Sequence, residues 1–264
     1  MQFQDYSALR FDRRGRVLTI TMNRPETLNA VDATLHRELS RVFVDAALDA
    51  DSDVIVLTGA GRAFCAGGDV AWMQDAIDHP ASFETTVSEA KAIIFTLLDC
   101  EKPIIARING PAVGLGATLG LFCDVIFADE ATYIADPHVS IGMVAGDGGA
   151  VIWPQLIGFA RAKEYLLTGD RITARRAAEI GLINHAVPGD ALSAAVDAFA
   201  DRLASGSTKA IRWTKVTANI ALKQLAHGMM DTGLAYEALT NISEDHRKRV
   251  DAFLKRAATG SKAR

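Results

Sequence analysis

The sequence predicts an α/β fold in which short apolar strands alternate with helices, followed by a helical C-terminal region. Two apolar strands each run into glycines and then into a helix, at 53–69 and 102–120. Strands followed by helices recur along the first part of the chain, which indicates a solenoid-like succession of turns. Strand signals nearly vanish after Arg161, apart from 183–187. We therefore expect a core over residues 1–200 and a helical region over residues 201–264.

The N-terminal part of the chain predicts a hairpin and then an amphipathic helix. Apolar and polar residues alternate over 8–11 and 16–22, around a turn at Arg14-Gly15. From about Asp32, apolar residues recur at three- and four-residue spacing, as in a helix with an acidic residue near its cap. These apolar residues are Leu35, Leu39, Val42, Phe43 and Ala46.

The middle of the chain predicts two further strand-and-helix units. A strand at 53–59 leads to a helix that begins at Asp69, and after a break at His79-Pro80 a second helix runs to about Leu98. A strand at 103–108, a helix to about Leu121 and a strand at 124–128 follow. A looser third copy ends in the glycines of 146–149. The remaining helices are predicted near 160–168, 174–180, 190–204, 208–225, 229–242 and 244–257.

Composition argues against several classes of protein. The 264 residues, 49% of them apolar, can bury a sizeable core. A formal net charge of -4 without a basic block argues against a nucleic-acid partner. The longest uncharged run, Ile108 to Cys123, is shorter than the roughly 20 residues that span a bilayer, and no signal peptide is visible, so no membrane association is expected. Cys65, Cys100 and Cys123 lie far apart without metal-ligand spacing, which predicts a reduced cytoplasmic protein with no metal site.

The two strand-to-helix turns are the candidate functional elements. Gly114 to Gly116 precede a helix start, where unpaired amides and the positive end of the helix dipole favour negative charge. The turn from Cys65 to Asp69 has the same design. Glycines at one such turn have a plain steric explanation, but two turns could each offer one N–H group to the same oxygen. We therefore expect an oxyanion site between them.

Several motifs together resemble a known family. They are Asn23-Arg24-Pro25, Ala63 to Asp69, Ile108 to Gly116, Leu167 to Asp170 and Ser243 to Arg247. With these motifs the chain resembles, over nearly its whole length, the crotonase superfamily, also called the enoyl-CoA hydratase/isomerase family. The resemblance implies a crotonase-type spiral of ββα turns over residues 1–200, and a helical trimerisation region that builds homotrimers or hexamers, the latter as dimers of trimers. It also implies an acyl-CoA thioester as substrate, with coenzyme A as part of that substrate and no further cofactor.

The resemblance assigns roles to particular residues. It implies that the amides of Gly68 and Leu115 hold the thioester carbonyl oxygen and stabilise an enolate. Donors of this kind contribute about 2.7 to 4 kcal/mol each to transition-state stabilisation. The residues expected along coenzyme A are Glu26, Thr27, Leu28, Ala30, Ala66 and Gly67. Lys248 and Lys255 of the last helix either meet the coenzyme A phosphates across a subunit boundary or belong to a solvated helix face.

The chain departs from the hydratase pattern at both acid–base positions. Hydratases that resemble it use two glutamates to hold and activate water, and here those positions carry Thr118 and His138. Thr118 either hydrogen-bonds a water or packs locally, and His138 either moves a proton or is structural. Asp147 lies one residue after the position of an isomerase acid, which is Gly146 here. A shift of one residue at a helix start rotates a side chain by about 100°, so Asp147 is either catalytic or a helix cap.

These assignments predict an acyl-CoA-processing enzyme, a lyase or isomerase of the kind that serves fatty acid metabolism. His138, together with Asp147, is expected to move protons, and hydration of crotonyl-CoA is expected to be slow. A double-bond isomerase, an acyl-CoA decarboxylase or hydrolase, and a non-catalytic acyl-CoA binder remain open. Cys65 is expected to be a small buried residue, because no partner base is evident near it. The other histidines, His36, His79, His185, His227 and His246, are expected to have surface or packing roles.

Overall fold

The computed structural model describes residues 3–260, and a six-stranded sheet lies at its centre. In sheet order its strands are β1 (Leu9–Arg14), β2 (Val17–Met22), β3 (Val54–Gly59), β4 (Ile104–Ile108), β6 (Val125–Asp129) and β9 (His185–Val187). The first two form the predicted antiparallel hairpin, and each later strand adds in parallel. All six residues of β3 are buried, as expected for a parallel strand that is covered on both faces.

A second sheet of three short strands joins the two glycine turns. Its strands are β5 (Ala112–Val113), β7 (Tyr133–Ala135) and β8 (Ile172–Thr173). A bridge between Cys65 and Ala112 ties the first turn to this sheet. The sequence pattern did not indicate these strands, because two or three residues are too few to show a period.

Seven helices precede the C-terminal region within the described residues. They are α1 (Ala33–Leu48), α2 (Val70–Asp78), α3 (Phe83–Asp99), α4 (Leu115–Phe122), α5 (Gly149–Thr168), α6 (Ala174–Glu179) and α7 (Gly189–Ala204). The five apolar residues predicted to face the core from α1 are all buried. Asp32 caps α1 by accepting a hydrogen bond from the Leu35 amide at 2.8 Å.

Helix α5 consists of two helical stretches that meet at Gly158, where the backbone is non-helical with φ 76° and ψ 158°. The second stretch is the helix predicted near 160–168, and the first stretch, which begins at Gly149, was not predicted. The residues 150–153 are apolar, and Val151, Ile152 and Trp153 are buried. A short apolar run of this kind has no polar face, so its pattern does not distinguish a helix from a strand.

The C-terminal region consists of α8 (Thr208–Asn241) and α9 (Glu244–Gly260). Helix α8 is continuous where the sequence predicted two helices, because Gly228 is accommodated inside it. A glycine in a helix costs only about 1 kcal/mol, which packing along a long helix can offset. Helix α8 packs on α3 and α5, and α9 packs on α2 and on the turn His138–Ile141. None of the described helices is both long and apolar enough to cross a bilayer.

Candidate active site

A cavity of about 400 Å³ lies between the two glycine turns and the helices α2, α8 and α9. Gly68 and Leu115 line this cavity. His138, Asp147 and Glu237 supply ionisable groups to its wall. Much of the remaining wall is apolar, with Trp72, Met73, Ala76, Phe83, Met143 and Phe253. A largely apolar cavity with a few converging polar groups is the usual form of a binding site for a small molecule.

The first glycine turn leaves the Gly68 amide without an acceptor. Val31 donates its N–H to the Gly67 oxygen at 2.7 Å, and Asp69 donates its N–H to the Val31 oxygen at 2.9 Å. These two bonds form a parallel bridge between Val31 and Gly68, so the Gly68 amide lies on the opposite side of its strand. Gly67 has φ 90°, a conformation that favours glycine. Among the side chains of residues 3–255 and the described backbone, no group accepts a hydrogen bond from the Gly68 amide.

The second turn presents the Leu115 amide in the same way. Leu115 is the first residue of α4, so its amide has no acceptor inside the helix. Gly114, with φ 53°, donates to the Ala135 oxygen at 2.9 Å and so fixes the turn on β7. A Cβ atom placed on Gly114 would lie 3.8 Å from the Gly67 Cα, so the two turns are in contact. The described residues offer no acceptor to the Leu115 amide either.

His138 lies between two carboxylates. Its Nδ1 atom makes a short hydrogen bond with Oδ1 of the buried Asp136, and its Nε2 atom is 3.6 Å from Oδ2 of Asp147. Burial lowers the pKa of His138, but the negative charges of Asp136 and Asp147 outweigh burial and raise it well above 6.5. His138 therefore carries a proton at neutral pH. Nothing in the sequence pattern singled out Asp136, although its position two residues before His138 in a turn was a usable signal.

Asp147 lies directly before Gly148, the N-cap of α5, and also lines the cavity. Its Oδ1 atom accepts hydrogen bonds from the Thr118 hydroxyl and from the Gly149 amide, each at 3.3 Å. The two alternatives for this residue are therefore compatible. Burial raises the pKa of Asp147, and the positive charge of His138 opposes that shift. Thr118 is fully buried, and its hydroxyl contacts Asp147, so it supports that carboxylate from behind.

Glu237 is a further carboxyl group in the cavity wall, and the sequence pattern did not indicate it. It lies on α8 beside Gly146, where a Cβ atom would come within 2.8 Å of Oε2 of Glu237. Burial raises the pKa of Glu237 to about 8, and the charge of Asp147 acts in the same direction. A signal was present, because the buried positions of α8 run at helical spacing from apolar residues into Glu237. Those positions are Ala226, Met230, Leu234, Glu237 and Asn241.

Comparison with known proteins identifies the family. The family model described as Enoyl-CoA hydratase/isomerase matches residues 12–259. The chain belongs to the enoyl-CoA hydratase/isomerase family. The resemblance drawn from the motifs is thereby confirmed. The chain is 31% identical over 263 residues to a 2,3-dehydroadipyl-CoA hydratase of Escherichia coli, with 98% of this chain and 100% of that protein covered.

Similar solved structures confirm the predicted crotonase-type α/β fold. An enoyl-CoA hydratase/isomerase from Mycobacterium paratuberculosis superposes with a TM-score of 0.91 at 37% identity, over 94% of this chain and 99% of that one. A beta-diketone hydrolase from the cyanobacterium Anabaena, bound to (S)-3-oxocyclohexyl acetic acid, superposes with a TM-score of 0.85 at 32% identity. That comparison covers 91% of this chain and 96% of the hydrolase.

The residues that the family resemblance assigns to coenzyme A lie around the first glycine turn and on α9. Ala66 and Gly67 line the cavity. The segment from Glu26 to Ala30 lies behind them, because the Ala66 amide donates to the Leu28 oxygen at 3.1 Å. This segment includes Thr27, Leu28 and Ala30.

Lys248 and Lys255 are exposed on α9, and Lys248 pairs with Glu244 at 2.7 Å. Helix α9 contributes Val250 and Phe253 to the cavity wall. The contact of these lysines with coenzyme A stays a prediction.

Two histidines that were expected only to pack lie close to the site. His36 is buried in the cavity wall, where its Nδ1 atom pairs with Oε2 of Glu89 at 2.6 Å. His246 is buried under the turn that carries His138 and pairs through Nδ1 with the Ile141 oxygen at 2.6 Å. Burial raises the pKa of the Cys65 thiol to about 12, so this residue stays neutral.

Among the described residues, one group of side chains has the spacing of a metal site. Possible ligand atoms of Asp136, His138 and Asp147 lie within 4.8 Å of one another. Two carboxylates and an imidazole could hold a divalent cation. Both nitrogens of the His138 ring already face these carboxylates, however. A protonated His138 can therefore pair with Asp136 and Asp147 in place of a cation.

Proposed function

We propose that the protein is an acyl-CoA-processing enzyme that stabilises a thioester enolate at the amides of Gly68 and Leu115. One observation carries this proposal: the two amides belong to turns that touch, lack acceptors, and line the same cavity as His138 and Asp147. Amides held in this way stabilise the negative charge that develops on a carbonyl oxygen. The similarity to a 2,3-dehydroadipyl-CoA hydratase supports a coenzyme A thioester as substrate. Coenzyme A then arrives as part of the substrate, and the proposal needs no separate cofactor.

His138 and Asp147 are the proposed proton-transfer groups. The imidazolium of His138 is suited to donate a proton, and the carboxylate of Asp147 to accept one. Because their facing atoms are 3.6 Å apart, one water molecule can hydrogen-bond to both. The pair would then do the work of the two glutamates that hydratases use. Thr118 keeps Asp147 in place through its hydroxyl.

A panel of coenzyme A thioesters tests the reaction. The panel contains crotonyl-CoA, a 3-enoyl-CoA and a 3-oxoacyl-CoA, and mass spectrometry detects any product. We expect slow turnover of crotonyl-CoA, and a rate comparable to that of a hydratase with two glutamates would contradict the roles given to Thr118 and His138. Tight binding by calorimetry without any product would favour a non-catalytic binder.

Two variants separate the proposed proton-transfer groups. We expect both His138→Ala and Asp147→Asn to reduce turnover by about 100-fold or more, as loss of a general acid or base usually does. Full activity of His138→Ala together with an inactive Asp147→Asn would favour an isomerase that uses Asp147 alone. Circular dichroism controls for folding, because Asp147 also accepts a hydrogen bond from the Gly149 amide at the start of α5.

A second candidate function is hydrolysis of a carbon–carbon bond between two carbonyl groups. The similarity to a beta-diketone hydrolase favours it, as does an imidazole held between two carboxylates next to space for water. Water would add to one carbonyl carbon, the carbon–carbon bond would break, and the departing enolate would take up a proton. Turnover of a cyclic β-diketone without coenzyme A would favour this candidate over the thioester.

The assembly and the cellular location are also proposals. We propose that residues 201–264 form the subunit contacts of a homotrimer or of a hexamer, because α8 exposes the large apolar residues Trp213, Ile220 and Tyr236. Light scattering tests this, and the mass of a monomer would contradict it. Three buried free cysteines are compatible with a reducing location such as the cytoplasm.

A further inference from the structure

We infer that Glu237 is a second proton-transfer group of this site and returns a proton to the carbon atom of the enolate. The inference rests on the proposed enolate chemistry. Glu237 belongs to α8, which contributes Leu234, Glu237 and Asn241 to the cavity wall. Three features of Glu237 support this inference: the position of its carboxyl group, a carboxyl oxygen without a hydrogen-bond partner, and the charge state of the group.

The carboxyl group of Glu237 lies beside Gly146, the residue that precedes Asp147. Its Oε2 atom lies 2.8 Å from where a Cβ atom on Gly146 would be, and the Gly233 oxygen lies 2.3 Å from that same point. Residue 146 therefore has no room for a side chain, and Glu237 occupies this space next to Asp147. Glu237 lines the same cavity as His138 and Asp147.

The carboxyl group of Glu237 has an unused oxygen. Glu237 is 7% exposed, and its Oε2 atom is buried without a hydrogen-bond partner in the part of the chain that the structure describes. The basic residues of α8 that form ion pairs, Arg212, Lys215 and Lys223, pair with other carboxylates. The nearby His138 already faces Asp136 and Asp147. Because buried polar groups normally find partners, an oxygen left open at a cavity wall points to a ligand.

The charge state of Glu237 is suited to proton donation. Burial and the negative charges of Asp147 and Asp136 hold its pKa at about 8, against the opposing influence of His138 and of the Gly146 amide. The carboxyl group therefore carries its proton at pH 7. The cavity then contains a neutral carboxylic acid, Glu237, beside the His138–Asp147 pair. Groups with different pKa values in one site can act separately as the acid and the base.

The proposed step is balanced without any additional reactant. The His138–Asp147 pair removes a proton from the carbon next to the thioester carbonyl, and the C–H electron pair forms the C=C bond of the enolate while negative charge develops on the carbonyl oxygen held by Gly68 and Leu115. When the enolate collapses, its electron pair forms a C–H bond with the proton of Glu237, and Glu237 is left as a carboxylate. The His138–Asp147 pair then releases its proton to the solvent, and Glu237 takes a proton from the solvent, which restores the site.

Proton exchange at carbon tests this inference directly. Butyryl-CoA is incubated with the enzyme in D₂O, and NMR follows the loss of its α-protons. We expect Glu237→Gln to slow this exchange by about 100-fold or more, with little change in butyryl-CoA binding. Glu237→Asp, which keeps an acid, should recover part of the rate. Glu164→Gln, at an exposed position of α5, is the matched control and should behave like the wild type.

The pH profile adds a readout that a purely structural role would not change. The rate of exchange by the wild type should fall as the pH rises through about 8, because Glu237 then loses its proton. The pH profile of Glu237→Gln should not show this decrease. Wild-type exchange and an unchanged profile in Glu237→Gln would overturn the inference and leave the enolate chemistry intact. No exchange by the wild type itself would overturn the proposed function, and this inference with it.

Infrared spectroscopy of the wild type covers the case in which Glu237→Gln does not fold. The band of a protonated carboxyl group should be present at pH 7, lost at pH 9, and shifted when butyryl-CoA binds. A wild-type protein without such a band contradicts the neutral state of Glu237 and overturns the inference.

Discussion

Replacing Leu115 by proline would remove the amide proposed to hold the carbonyl oxygen and change little else. Leu115 is the first residue of α4, a position where proline is well tolerated because its missing N–H has no acceptor in the helix. The first helical hydrogen bond, from the Thr118 amide to the Gly114 oxygen, is kept. Leu115→Ala is the matched control, since it removes the same side chain but keeps the amide.

The size of the effect follows from the loss of a single donor. An oxyanion donor contributes about 2.7 to 4 kcal/mol to the transition state, which corresponds to about 100- to 1,000-fold in kcat. Because that interaction is made mainly in the transition state, kcat and kcat/KM should fall together and KM should change little. The Leu115 side chain is buried, so Leu115→Ala is expected to lower stability by about 2 to 5 kcal/mol but to retain most of the rate.

Both variants are compared in the α-proton exchange assay and with the best substrate of the panel. Melting temperatures establish that each variant is folded at the assay temperature. We expect Leu115→Pro to be at least about 100-fold slower than Leu115→Ala. Equal rates for the two variants would refute the oxyanion site, because they differ in the amide at the position on which that site depends.

Three further predictions concern the charges of the cavity and the loop beside it. Asp136→Asn removes a charge that raises the pKa of His138, so the limb of the activity profile that belongs to His138 should move to lower pH, and an unmoved limb would contradict this role. Glu237 has a pKa raised from 4.5 to about 8, so the stability linked to its protonated form is present below pH 4.5 and is lost as the pH rises through about 8. The free energy of unfolding of Glu237→Gln should therefore equal that of the wild type near pH 4 and exceed it at pH 9 by up to about 5 kcal/mol. Thermal unfolding measures this difference. A difference that does not vary with pH would contradict the raised pKa of Glu237. Asn29 is a buried residue with φ 56°, and Asn29→Ala removes its hydrogen bonds to the Ala60 and Ala63 oxygens. Urea unfolding should show that the free energy of unfolding falls by about 2 to 4 kcal/mol. A decrease of less than about 1 kcal/mol would contradict this anchoring role.

Elements with a clear period were predicted well. The alternation of the N-terminal hairpin and the spacing of apolar residues in α1 correspond to the observed strands and buried face. Asp69 is the N-cap of α2, where its side chain accepts a hydrogen bond from the Ala71 amide at 2.9 Å. These features depend on residues that are near one another in the chain, so local sequence contains the information.

Elements without a period were predicted less well. The first half of α5 is apolar and buried, and the strands of the second sheet are very short. The continuity of α8 through Gly228 depends on packing against α3 and α5. Tertiary packing overrides local propensity in such segments.

By itself, the sequence determined the α/β class, the two glycine turns and the family, because these depend on local patterns and on motifs. Through the family resemblance it also predicts that Thr118 and His138 stand at the two positions where hydratases carry glutamates. Only the tertiary structure decided which ionisable groups share the cavity: it brings Asp147 to His138 and places Glu237 beside Gly146. The physical reason is that His138, Asp147 and Glu237 are far apart in the chain, and their charge states arise from mutual distance and burial, which no local pattern of residues records.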